Sequence, residues 1–184
     1  MNGKHILLGV TGGIAVYKAL ELTRLLTKAG AKVKVVMTSN ATAFVTPLSF
    51  ETLSGNTVGV ELMNLTRERE IGHIDYARWA DVAVAAPATA NLLGKMANGI
   101  ADDLLTTVLL ALPSNTPIVL APAMNTRMWE NPAVQRNIDL LHSLYGRRLR
   151  QVGPVSKELA CKEEGLGAMA EVVDIFDVVE SLLS

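Results

Sequence analysis

The chain has 184 residues, nearly half of them apolar but few of them aromatic, enough Ala, Val, Leu and Ile for the core of one compact domain with α/β layering. A formal charge of -1 with scattered Lys and Arg excludes the basic field that a nucleic-acid backbone requires. The single cysteine, Cys161, excludes an intrachain disulfide and points to the cytosol; no apolar run has membrane length, and no targeting segment is expected.

His5 to Val10 is a continuous apolar run and predicts a buried strand. Thr11-Gly12-Gly13 interrupts it, and Ile14 to Lys28 then follows helical spacing through Ile14, Ala15, Leu22, Leu25 and Leu26. Gly30 suits the helix stop, and Lys32 to Met37 predicts a second strand, which completes a βαβ unit. Asp81 to Ala86 and Pro117 to Leu120 read as further buried strands, followed by Pro87 and Pro122. Between them Thr89 to Met96 and Asp102 to Leu112 predict helices separated by Asn98-Gly99. Asn131-Pro132 is an N-cap and N1 pair that opens a helix toward Tyr145, stopped by Gly146. Arg148 to Val152 predicts a short fifth strand, Gly153 to Met169 is glycine-rich and irregular, and Val172 to Leu183 closes as an amphipathic helix. Helices following strands throughout predict an α/β fold: a doubly wound parallel sheet, Rossmann-like, in three α/β/α layers, as one domain over residues 1–184. Four loops should then meet at the carboxyl edge of the strands: Thr11 to Ile14, Thr38 to Asn40, Pro87 to Asn91 and Ala121 to Asn125.

Gly12 and Gly13 stand between a strand and a helix start, where bare backbone N–H groups and the helix dipole favour a phosphate. The same pair also serves as a plain tight turn. It is neither G-x-G-x-x-G nor a Walker A loop, so NAD and ATP lose support. Thr38 and Ser39 end the second strand with hydroxyls, where a dinucleotide site would want an acidic residue; hydroxyls suit a phosphate, and equally a helix cap at Ser39 or Asn40.

Five segments together resemble the homo-oligomeric flavin-containing cysteine decarboxylase family, and most closely its members that act on 4'-phosphopantothenoylcysteine. Gly9-Val10-Thr11-Gly12-Gly13-Ile14-Ala15 resembles the family's first loop, and Pro87-Ala88-Thr89-Ala90-Asn91 its Pro-Ala-Ser-Ala-Asn signature with Thr for Ser. His73-Ile74, followed by Arg78-Trp79-Ala80-Asp81, resembles the segment bearing the catalytic histidine. Ala121-Pro122-Ala123-Met124-Asn125 with Met128-Trp129 resembles the substrate-binding motif. Leu159-Ala160-Cys161 and Gly165-Leu166-Gly167-Ala168-Met169-Ala170-Glu171 resemble a flexible substrate clamp, placed at 153–169, with Lys162 where a glycine is usual.

The resemblance implies FMN held by Gly12, Gly13, Ile14, Thr38, Ser39, Thr89, Ala90, Asn91, Leu92 and Ala123, substrate held by Met124, Asn125 and Gly165, catalysis by His73 and Cys161, and no metal. It implies oxidation of the substrate's terminal CH2–SH to a thioaldehyde, loss of CO2 to an enethiolate, and return of the electrons with a proton from Cys161. It further implies a homotrimer or a multiple of trimers with FMN between subunits and, in many bacteria, fusion to a phosphopantothenoylcysteine synthetase domain. Peptidyl-cysteine decarboxylation, flavin prenyl transfer and a non-catalytic FMN-binding regulatory subunit are the competing functions. Read alone, His73 is a polar helix start after Gly72, Asn125 a helix cap, Cys161 a small buried hydrophobe, and Met128 and Trp129 packing or subunit contacts. His5 and His142 match no motif, and Asp102-Asp103 is assigned no chemistry beyond first-turn helix acids.

Overall fold

The computed structural model describes residues 1–62, 72–158 and 164–184. Strands β1 (His5–Val10), β2 (Lys32–Met37), β3 (Val82–Ala88), β4 (Ile118–Pro122) and β5 (Leu149–Gln151) form one five-stranded sheet in the order β2-β1-β3-β4-β5. Every pairing in it is parallel. The chain steps outward from β1 to β2 and then returns across β1 to β3, so the strand order reverses between β1 and β3. That switch point opens a crevice at the carboxyl ends of the strands.

Alternation along β1 divides the core. Ile6, Leu8 and Val10 pack with Val16, Leu22 and Leu26 of α1 (Val16–Lys28), Phe50 of α3 (Pro47–Ser54) and Ile175 and Val179 of α9 (Val172–Leu183). Leu7 faces the opposite layer, with Tyr76 of α4 (His73–Trp79), Leu92 and Leu93 of α5 (Ala90–Ala97), Leu105 of α6 (Leu104–Leu110) and Leu141 of α8 (Pro132–Tyr145). Burial on both faces explains why the strands read as unbroken apolar runs. The short helix α2 (Ser39–Thr42) follows β2 after Thr38, and α7 (Thr126–Trp129) follows β4 after Ala123, Met124 and Asn125.

Local polar chemistry sets the helix starts. Asn131 accepts from Ala133 N–H with Pro132 at the first turn, as expected from that pair. The strand expected to end at Ala86 runs on through Pro87 to Ala88. The helix expected from Asp102 starts at Leu104, because the Asp103 carboxylate accepts from Thr106 N–H at 2.8 Å and makes Asp103 the N-cap of a capping box. Asp102 and Asp103 are therefore pre-helical residues and not first-turn acids. The cap of α2 is Thr38, rather than Ser39 or Asn40, and its side chain makes no capping bond.

The stretch expected to be irregular holds an antiparallel ribbon, β6 (Val155–Glu158) paired with β7 (Glu164–Ala168). Its glycines serve close approach rather than irregularity. A Cβ on Gly167 would collide with Met124 O and one on Gly165 with Thr126 Oγ1, so β7 lies against the chain after β4, and Met124 N–H donates to Gly167 O at 2.9 Å. Beyond the ribbon, Glu171 pairs with Lys157 of β6 and with Lys18 of α1, 3.5 Å away. The Lys157 hydrogen bond, then the charge of Lys18, hold the Glu171 carboxyl below its usual range. The expected clamp residues Leu159, Ala160, Cys161 and Lys162 lie outside the described residues.

Candidate functional site

The four loops meet at the carboxyl edge, around a crevice of two lobes. Gly12, Thr89, Ala90 and Met128 belong to both. The larger lobe, about 350 Å³, is apolar: Ile14, Pro87, Ala123 and Met124 line it, with Gly13 on one side and Gly167, Ala168 and Met169 of the ribbon on another. Asn125 and Thr89 are the polar side chains at its wall. The smaller lobe, about 280 Å³, is polar and lies over Thr38, Ser39, Asn40 and Asn91.

Each wall has a local cause. A Cβ on Gly12 would lie 2.6 Å from Asn40 Cβ and 2.8 Å from its backbone carbon, so only glycine lets the first two loops touch. Gly13 faces open space: an added Cβ would meet only Thr89 Cγ2, at 3.9 Å. Thr89 caps α5 by accepting from Leu92 N–H, and Ala90 and Asn91 of the first turn line the polar lobe. Asn125 caps α7 through Oδ1, which accepts from Arg127 N–H at 2.8 Å.

The floor of the polar lobe carries a charge cluster that the sequence did not mark as part of a site. Lys95 Nζ lies 2.6 Å from Asp102 Oδ1 and 3.0 Å from Asp103 Oδ2. The Asp102 hydrogen bond is the largest cause that raises the Lys95 pKa, with Asp103 adding to it against burial. Burial pushes the Asp103 carboxyl up, but Thr106 N–H, Lys95 and the Thr106 hydroxyl together outweigh it and hold the group below its ordinary value. Lys95 follows Asn91 by four residues on α5, and that helical offset was the available signal. Met128, read as a packing or subunit contact, lines the crevice and is 48% exposed, three residues after Asn125, whereas Trp129 is buried in the core.

Every residue expected to hold cofactor lines one lobe or the other, from Gly12, Gly13 and Ile14 through Thr38, Ser39, Thr89, Ala90, Asn91 and Leu92 to Ala123. Met124 and Asn125 line the apolar lobe. Gly165 does not; it packs on Thr126, and Gly167 is the ribbon glycine at the wall. His73 begins α4 after Gly72 and lines neither lobe. His5 stacks on Trp79 at 4.5 Å, with Lys34 Nζ 4.5 Å from the Trp79 ring, at the opposite edge of the sheet. Among the described residues no group of His, Cys, Asp and Glu could hold a metal ion, and no helix is long and apolar enough to cross a membrane.

Known proteins resemble this chain in sequence and in fold. The chain is 45% identical over 184 residues to the coenzyme A biosynthesis bifunctional protein CoaBC of Haemophilus influenzae, all of this chain against 45% of that protein, so it spans about half the length of such relatives. Among solved structures, a PPC decarboxylase mutant complexed with pantothenoylaminoethenethiol is 34% identical with a TM-score of 0.84, covering 99% of both chains. The FMN binding protein AtHal3 is 35% identical with a TM-score of 0.82, covering 98% of this chain and 96% of its own. The model of the Flavoprotein family matches residues 1–184 from end to end, and the chain belongs to that family.

Proposed function

We propose that this chain is an FMN-dependent decarboxylase that converts 4'-phosphopantothenoylcysteine to 4'-phosphopantetheine in coenzyme A biosynthesis, a cytoplasmic reaction. The observation that carries the reading is the two-lobed crevice at the switch point, an apolar slot continuous with a hydroxyl-lined polar pocket. A flat ring joined to a phosphate has that distribution of polarity. The residues fit it: Thr38 Oγ1 is buried without a hydrogen-bond partner at the polar lobe, and a phosphate oxygen would accept from it. Gly13 fits too, since any side chain there would project into the space for the ligand.

FMN, when bound, would supply a two-electron acceptor for the substrate's CH2–SH, which would place a C=S beta to the carboxylate as the electron sink for loss of CO2, and would serve as the electron source for the product thiol. The protein's part is positioning and proton transfer. Pro87, Ala123 and Met169 give the lobe an apolar lining, against which a carboxylate about to lose its charge is poorly solvated. The amide nitrogen of Asn125 is the donor for the substrate carboxylate, and a neutral donor does not pin a charge that must disappear. His73 acts as the acid/base at the substrate thiol and Cys161 protonates the enethiolate. The ethenethiol in the ligand name of the similar PPC decarboxylase structure is the protonated form of that enethiolate. Because His73 lines neither lobe of its own chain, it serves the crevice of a neighbouring copy in a homotrimer or a multiple of trimers. The bifunctional relatives support a phosphopantothenoylcysteine synthetase as partner, since its product is this substrate.

Purified protein should carry a flavin spectrum and form 4'-phosphopantetheine with release of CO2. Cys161→Ser and His73→Asn should keep the flavin and slow turnover by about 10²-fold or more. Protein with neither flavin nor CO2 release overturns the reading, and loss of flavin in His73→Asn would make His73 structural.

A further inference from the structure

We infer that the Thr11 hydroxyl is a positioning residue that sets the width of the cofactor crevice; this rests on the reading that the crevice holds FMN. The β1–β3 ladder ends at the pair Gly9 and Ala85, one residue before β1 itself ends. Two residues further along β3 stands Pro87, which has no N–H to offer a neighbouring strand. At this point a side chain replaces the backbone ladder. Thr11 Oγ1 donates to Pro87 O at 2.7 Å and accepts from Thr89 N–H at 3.1 Å, so one hydroxyl joins segments whose residues are 76 and 78 apart in sequence.

Thr11 is 2% exposed, and its bonds differ in kind from those of the buried Thr23 and Thr106. Thr23 bonds Ala19 within its own helix, and Thr106 completes the cap of its own helix. Thr11 alone of these three joins two strands of the sheet, and it does so across the switch point. The residues on either side of its bonds are the walls shared by both lobes, Gly12 directly after Thr11, and Thr89, whose N–H it holds. The hydroxyl therefore fixes the distance between the loop that takes the phosphate and the helix start that faces it. Without it, Pro87 O and Thr89 N–H lose their partner where little water reaches, and the two loops must part to rehydrate them.

Fluorescence titration of apoprotein with FMN tests this, with circular dichroism and melting recorded for each variant. Thr11→Val, which keeps the shape and removes the hydroxyl, should bind FMN about tenfold more weakly at temperatures where it is fully folded. Thr11→Ser should bind within about threefold of wild type, since it restores donor and acceptor. An unchanged dissociation constant in Thr11→Val, even with a lowered melting temperature, overturns the inference and leaves Thr11 a stability residue. Equal weakening in Thr11→Ser overturns it too, since the methyl would then be the group that matters. Should Thr11→Val not fold, Thr11→Ala carries the test, and wild-type affinity in that variant is the overturning result. Wild-type protein that does not bind FMN defeats the functional reading instead, which separates the two failures.

Discussion

At the scale of single residues, the site is made by atoms that are missing. Gly12 and Gly167 both allow backbone to touch backbone, but they stand on opposite walls and should fail differently. A Cβ on Gly12 forces Asn40 away and disturbs the hydroxyl-bearing turn at Thr38 and Ser39. A Cβ on Gly167 strikes Met124 O and pries β7 from the loop that carries Asn125. Both variants are expected to lose about 1–3 kcal/mol of stability from overpacking, measured by urea denaturation. Gly12→Ala should lose bound flavin, whereas Gly167→Ala should retain flavin and show a raised KM for substrate. Loss of flavin in both would mean that the walls are not separate in function.

At the scale of elements, the strands and long helices were legible because their burial repeats with a period, and the loops only where chemistry replaced periodicity. β1, β2 and α8 lie where apolar runs and the Asn131-Pro132 signal put them. The ribbon did not read as strands, since glycines chosen for contact with Met124 and Thr126 look the same in sequence as glycines of a loose loop. Helices α3 and α4 are short and supply few buried side chains, Phe50 in one and Tyr76 and Ala77 in the other, too few for a helical pattern. The residues that line the two lobes were legible through family resemblance, and the Lys95 cluster was not, because its three members come from two elements. That cluster carries a prediction for α6. Asp103→Ala removes the acceptor of Thr106 N–H and should cost about 1 kcal/mol at pH 7, by the difference in urea midpoints. The folded-state pKa of Asp103 lies below its ordinary 3.8, so its contribution is full above that value and is lost as pH falls through the folded pKa. The gap between wild type and variant should therefore narrow below pH 3.8, and an unchanged gap there would assign it to packing alone.

At the scale of the whole molecule, one copy leaves the crevice open and its rim apolar. Ile14 and Met128, which line the apolar lobe, are 62% and 48% exposed, and Tyr17, in the first turn of α1, is 51% exposed. Apolar groups gathered at a crevice mouth are a surface for another copy, and covering them removes water from the lobe where decarboxylation is proposed. Light scattering should give a mass of three times the 19.7 kDa chain or a multiple of it, and a monomeric mass would sink the assembly. Shared sites make a sharper demand. His73→Asn chains keep an intact crevice, and Gly12→Ala chains keep an intact His73, so each pure trimer should be inactive. In trimers reassembled from a mixture of the two, a His73→Asn crevice that meets His73 of a Gly12→Ala neighbour has every part of the proposed site. Decarboxylation should return on mixing. If it does not, while the mixed trimers form and bind FMN, His73 acts on the crevice of its own chain, and α4 must then move to bring it there.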